Sequence, residues 1–338
     1  MERPLGDPRD LRFRDLRERD FAGADLSGFD LSWADLSGCS LRGAQLAGAK
    51  LVYANLAHAR VAGADLRGAE CRSMFAWGAD FTGARFGRLP SAASRAARWG
   101  GRPSSRGFAD LTSVNFTFAR LERADLADAV MRGTCFIGAD VTQARLASST
   151  ARYALLRYAR GFEPEALPDD ELGSLGWLPW DEGPSAVSPL ANSTVDPAIE
   201  RCAEAALMAV WCWRRDTSRA LVAPDPRVRD EAGRATGSPR LAAVEGAIVP
   251  ALRALARATR PAPRAEPGGA RHGEIRDVLL YELAESCTHI DHLEWLTRVL
   301  GRVAELGLLS EAAVDRTVRW SRGHRYDGEL HWVPPDAR

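Results

Sequence analysis

The sequence predicts a solenoid of short repeats in its N-terminal half and an all-α domain after it. Three observations carry this reading. Large apolar residues recur every five positions from Leu11 to Phe86, through Leu16, Phe21, Leu26, Leu31 and onward to Leu66 and Phe81. A small residue stands two places before most of them, as at Ala24, Ala34 and Ala64, with a polar residue between, as at Asp25, Asp35 and Asp65. After residue 160 this rhythm stops, and apolar residues fall instead three and four apart. Neither a helix nor a simple strand has a period of five. So short a unit cannot bury its own apolar side, so it is stable only as a stacked array.

The motifs AGADLSG, SWADLSG, AGADLRG and WGADFTG resemble the pentapeptide-repeat family, whose consensus is A(D/N)LXX. The resemblance covers residues 9–160. It implies a β-solenoid, a right-handed quadrilateral β-helix in which four pentads make one square coil with the large and small residues inward. Sixteen pentads keep phase to Phe86, and ten more run from Leu111 to Leu156, weakening at the end. With coils about 4.8 Å apart, the spacing of paired strands, the rod stands on the order of 30 Å tall.

Residues 20 apart then share a wall. Phe13, Trp33 and Tyr53 occupy one outward position in successive coils, which predicts an exposed aromatic ladder and a binding surface. Met74, Phe75 and Trp77 add apolar content near the same height. On two other walls that position holds glycine, as at Gly23, Gly43, Gly28 and Gly48, which suits a tight corner.

Between Phe86 and Leu111 lies one pentad step plus a 20-residue insertion. Its segment 88–107 holds Arg88, Arg95, Arg98, Arg102 and Arg106, the aromatic Trp99, and no acid. Arginines with an aromatic suit phosphate contact, so the loop is expected to bind and makes nucleic acid a partner to test beside protein.

Residues 161–192 read as a connector rich in proline and glycine, with Trp177 and Trp180. Residues 193–338 read as the α-helical domain. Asp196-Pro197 opens a helix to about Leu221, since proline suits the first helical turn. A linker follows over 223–238. Ser238 opens a second helix with Val244, Ile248, Leu252 and Leu255 on one face, kinked at Pro250. Residues 260–271 form another flexible linker. One long helix is expected from Glu274 to Leu306, then a last helix capped by Ser310. The tail, with Tyr326 and Trp332, is expected to strap onto the domain. The helical half is expected to dock on the repeat and cover part of the wall bearing Phe13.

Basic and acidic residues balance at 45 each, yet residues 1–160 carry +7 and residues 161–338 carry −7. The N-terminus has no apolar h-region and no run reaches membrane-spanning length. Six cysteines without C-x-x-C spacing read as reduced, buried residues of a cytoplasmic protein. No phosphate loop, nucleophile elbow or zinc-protease motif occurs in the sequence. Glu285, His289 and His292, spaced i, i+4 and i+7, are weak metal candidates; no metal or cofactor is expected, because a third strong ligand and supporting residues are missing.

These features point to a non-catalytic protein–protein interaction or scaffold protein in the cytoplasm, of open oligomeric state. The resemblance implies an alternative, since some pentapeptide-repeat proteins protect a type II topoisomerase from inhibitors as acidic mimics of DNA. A repeat at +7 argues against mimicry. An enzyme with its site in the helical domain is the second alternative.

Overall fold

The computed structural model describes residues 7–89, 107–147, 149–151, 154–156, 159–162, 197–221, 238–259, 270–286, 290–323, 325–326 and 332–333. It divides into two units, each described by itself.

In the repeat unit every fifth residue bridges in parallel to the residue 20 further on, as Asp30 to Lys50 and Asp35 to Asn55. Four pentads therefore make one turn of the coil. The insertion leaves the ladder in phase, because Glu70 bridges Asp110 and Arg85 bridges Asp125 across it.

One pentad shows why the sequence needs these residue types. Asp30 donates its N–H to Arg9 O of the coil below (2.9 Å). Leu31 donates to Lys50 O (2.7 Å) and Trp33 to Val52 O (2.9 Å) in the coil above. Ala34 closes the turn onto Leu31 O (3.1 Å). The remaining amide, Ser32 N–H, donates to the Asp30 carboxylate (3.1 Å). All five backbone donors are thus paired, and the acidic residue of the repeat supplies an acceptor that the backbone lacks. Asp35, Asn55, Asp80 and Asn115 do the same for Ser37, Ala57, Thr82 and Thr117.

The third residue of each turn, from Phe13 to Gly83 and from Ser113 to Gln143, has a positive φ. Glycine is at ease there, whereas Phe13, Trp33 and Tyr53 hold the same left-handed conformation against their β-carbons. All four corners are therefore alike, not only the two that glycine marks.

From Leu31 to Ala129 the leucines at the large position and the alanines at the small one are buried. Where Ala76 takes the large position, Met74 fills the small one beside it, so the wall keeps its volume. Phe116 stacks on Phe136 (5.5 Å) and meets Phe81 edge-on (5.3 Å), which fills the middle of the rod. Cys39, standing where alanine usually does, donates its thiol to Leu16 O.

The second unit contains α1 (Pro197–Leu221), α2 (Ser238–Thr259), α3 (Ala270–Ser286), α4 (Ile290–Glu305) and α5 (Glu311–Gly323). The helix starts at Pro197 and Ser238 agree with the sequence reading, and Ser310 Oγ accepts the Ala313 amide (3.2 Å) as an N-cap. α3 is buried all round from Asp277 to Ala284, as befits the central helix of a bundle, and packs against α1, α2 and α5. Its Asp277 is fully buried and takes an ion pair from the neighbouring Arg276 (2.7 Å).

Of the long helix expected over Glu274–Leu306, α3 is described to Ser286 and α4 from Ile290, and residues 287–289 lie outside the described residues. Within the tail, β1 (Arg325–Tyr326) pairs antiparallel with β2 (Trp332–Val333). The connector after Phe162 and the two linkers lie outside the described residues, apart from Ser238, Ala270 and Arg271, which open α2 and α3.

Candidate interaction surface

The four walls of the solenoid differ in what they turn outward. The first wall, over Leu11, Leu31, Leu51 and Leu111, carries the predicted aromatics. Phe13 is 42% exposed and stacks on Trp33 with ring centres 5.2 Å apart. Trp33 is half-buried, and Tyr53 is buried. Exposure thus falls along the ladder from its first rung to its third. Further along this wall, Glu70 sits between Lys50 and Asp110 in the column; burial, with Asp110 and Asp30 adding to it, holds its carboxyl above the usual range against the pull of Lys50 and Arg72.

The second wall, over Leu16, Leu36, Leu56, Phe116 and Phe136, was not singled out by the sequence reading as a column. Its outward positions hold Phe75, Trp77, Cys135, Ile137 and Leu155, all buried to 2% exposure or less. Trp77 meets Phe118 edge-on at 4.9 Å. Sorting all four walls by the 20-residue period, rather than following one aromatic column, finds this surface.

The third and fourth walls are ionic and self-compensated. Arg85 reaches Asp65 (3.0 Å), Arg145 reaches Asp125 (3.0 Å) and Arg120 reaches Asp80 (3.7 Å), each from the next coil. Arg67 also forks onto Asp65 (2.9 and 2.7 Å). Burial alone would raise the Asp65 pKa, but the Arg67 hydrogen bonds and the charge of Arg85 outweigh it, so the carboxyl titrates below its ordinary value.

The basic insertion leaves and rejoins at the corner between the fourth and first walls. Its base is fastened: Leu89 donates its N–H to Gly107 O (2.9 Å), and the Arg88 guanidinium lies 5.1 Å over the Phe108 ring. The Leu89 side chain is buried over the corner of the fourth wall, where a β-carbon on Gly68 would come within 2.5 Å of it. Arg95, Arg98, Trp99, Arg102 and Arg106 lie outside the described residues.

In the helical unit, Glu285 belongs to α3 and His292 to α4. His289 and the side chains of Glu285 and His292 lie outside the described residues. Among the described residues no group of His, Cys, Asp or Glu is placed to hold a metal ion, and no helix is long and apolar enough to cross a membrane.

The pentapeptide-repeat family model matches this chain in eight copies, over residues 15–52, 30–68, 44–88 and 109–146. No curated protein matches the chain. Among solved structures, QnrB1, a plasmid-mediated fluoroquinolone resistance protein, is 19% identical over 46% of this chain and 70% of that one, with a TM-score of 0.36. A pentapeptide repeat protein of the Arabidopsis thaliana thylakoid lumen is 22% identical over 47% and 72%, with a TM-score of 0.23. HetL, involved in heterocyst differentiation regulation in Nostoc sp. strain PCC 7120, is 26% identical over 44% and 75%, with a TM-score of 0.18.

Proposed function

Because the N-terminal half of this chain is built of pentapeptide repeats, we propose that the protein is a non-catalytic cytoplasmic scaffold, a right-handed four-walled rod that presents its walls to protein. The first wall carries this reading. Phe13 is exposed there and stacks on the half-buried Trp33. An exposed aromatic pair on an outer face serves protein contact.

The test compares the full chain with Phe13→Glu on the first wall and Thr142→Glu on the third. Each is cross-linked in the native host, and the proteins joined to it are identified. The reading expects the first substitution to lose a protein that the second retains. If both retain the same proteins, or neither joins any, the scaffold reading fails.

Topoisomerase protection is the second reading. A rod that imitates DNA presents acid without neighbouring base, whereas Asp65, Asp80 and Asp125 each have an arginine within 4.0 Å. Compensated walls favour the scaffold. Purified protein that relieves an inhibitor-blocked type II topoisomerase at stoichiometric amounts would reverse this order.

A further inference from the structure

We propose that Arg9, Arg14 and Arg19 guard the open N-terminal edge of the solenoid against end-to-end stacking with a second copy of the chain. The edge itself offers what a stacking coil needs. In the second coil, Asp30, Asp35 and Ser40 donate their N–H groups to Arg9, Arg14 and Arg19 O of the first coil, at 2.9, 2.9 and 3.0 Å. The equivalent donors of the first coil are Asp15, Asp20 and Asp25, and among the described residues no coil lies beneath them. A row of open donors and acceptors at a sheet edge is a template for another chain. The apolar end of the core is also incompletely covered: Leu11, Phe21 and Phe29 are only partly buried, and Phe13 is exposed.

The guard is visible in one sequence position. Two residues before the large apolar residue, later coils have a small side chain turned inward and fully buried, as Ala34, Ala44 and Ala54. In the first coil, that position is Arg9, Arg14 and Arg19 on three walls, with Ala24 on the fourth. The coil geometry is unchanged there, since Asp10, Asp15 and Asp20 bridge to the second coil as later coils do. An inward β-carbon carrying an arginine has one route to water, through the open end. Arg14 and Arg19 are accordingly exposed and Arg9 half-exposed. Their turns are also looser: Arg14 and Arg19 close onto Leu11 and Leu16 O at 3.3 Å, where Ala24 closes onto Phe21 O at 3.0 Å.

A second copy laid on this end would have to bury three guanidinium groups, at a desolvation cost. Charged side chains aimed inward at an edge are a known way to keep sheets from joining. The arginines thereby hinder a second copy from pairing with this edge.

The experiment uses the full chain with Arg9→Ala, Arg14→Ala and Arg19→Ala together. The control, Arg42→Ala, Arg60→Ala and Arg85→Ala, removes the same charge from exposed positions of inner coils. Sedimentation velocity is run over a concentration series, and amide exchange is read at Asp15, Asp20 and Asp25. The guard predicts that the edge variant gains species of about twice the parent mass, as for a two-fold end contact. It also predicts that the three amides, fast in the parent, become protected in the variant, and that the control matches the parent. Equal sedimentation of edge variant and parent would overturn the proposal. So would slow exchange of these amides in the parent, association of the control to the same extent, or loss of the folded state in the edge variant.

Discussion

Gly68→Ala tests how the basic insertion is fastened to the rod. Gly68 has φ +67, and its β-carbon would stand 2.5 Å from Leu89 Cδ1 and 2.8 Å from Leu89 Cγ. Forcing alanine into the left-handed region costs about 1–2 kcal/mol. Leu89, now buried, must also leave its seat, and exposing roughly half of a leucine adds about 1 kcal/mol. The expected loss is then about 2–3 kcal/mol by these two effects together. Gly83→Ala supplies the comparison, since it has φ +65 and open space around its β-carbon, and should cost only the backbone part. In a Leu89→Ala background the two glycine substitutions should cost the same. Urea titration of the full chain gives the stabilities, and exchange of the Leu89 amide reports whether its bond to Gly107 O survives. Equal costs for Gly68→Ala and Gly83→Ala in the parent would refute the seat of Leu89.

Asp30→Ala should cost about 1–3 kcal/mol, because it strands the buried Ser32 amide, while Asp30→Asn should keep most of the stability; thermal melts separate the two. Burial raises the Glu70 pKa, so the folded chain holds that proton more tightly than the unfolded one. Stability then falls as pH rises from the unfolded pKa through the raised folded value, and Glu70→Gln should flatten that part of the profile; an unchanged profile refutes this. Replacing residues 90–106 by a short glycine linker should lower stability by under about 1 kcal/mol, because the ladder runs in phase across the insertion and its two ends already meet. Loss of the repeat's cooperative melt would count against it. Protein purified without added metal should hold no stoichiometric zinc, since a third strong ligand beside His289 and His292 is missing from the sequence pattern; zinc that disappears in His289→Ala would reverse this.

Much of the fold was legible because its determinants are local. The five-residue beat follows from the turn and bridge made by each pentad, and the insertion could be measured because it equals one coil. Pro197, Ser238 and Ser310 announced helix starts by cap chemistry. The second wall escaped notice because Phe75, Trp77, Ile137 and Leu155 are far apart in sequence and only the coil, with its insertion subtracted, brings them into a column. On the first wall, Phe13, Trp33 and Tyr53 form an obvious series, but sequence alone does not show that exposure falls along it, from the exposed Phe13 through the half-buried Trp33 to the buried Tyr53.

The in-phase ladder also sets how the rod would yield to force. Each coil is held to its neighbours by parallel bridges between residues 20 apart, so a pull on the ends peels one coil at a time. Each event trades about 4.8 Å of axial height for about 70 Å of extended chain, at roughly 3.5 Å per residue. Where Glu70 pairs with Asp110 the tether spans 40 residues, and one step of the staircase is twice as long as the rest. The insertion thus marks the middle of the rod as a landmark that a force–extension trace can read directly.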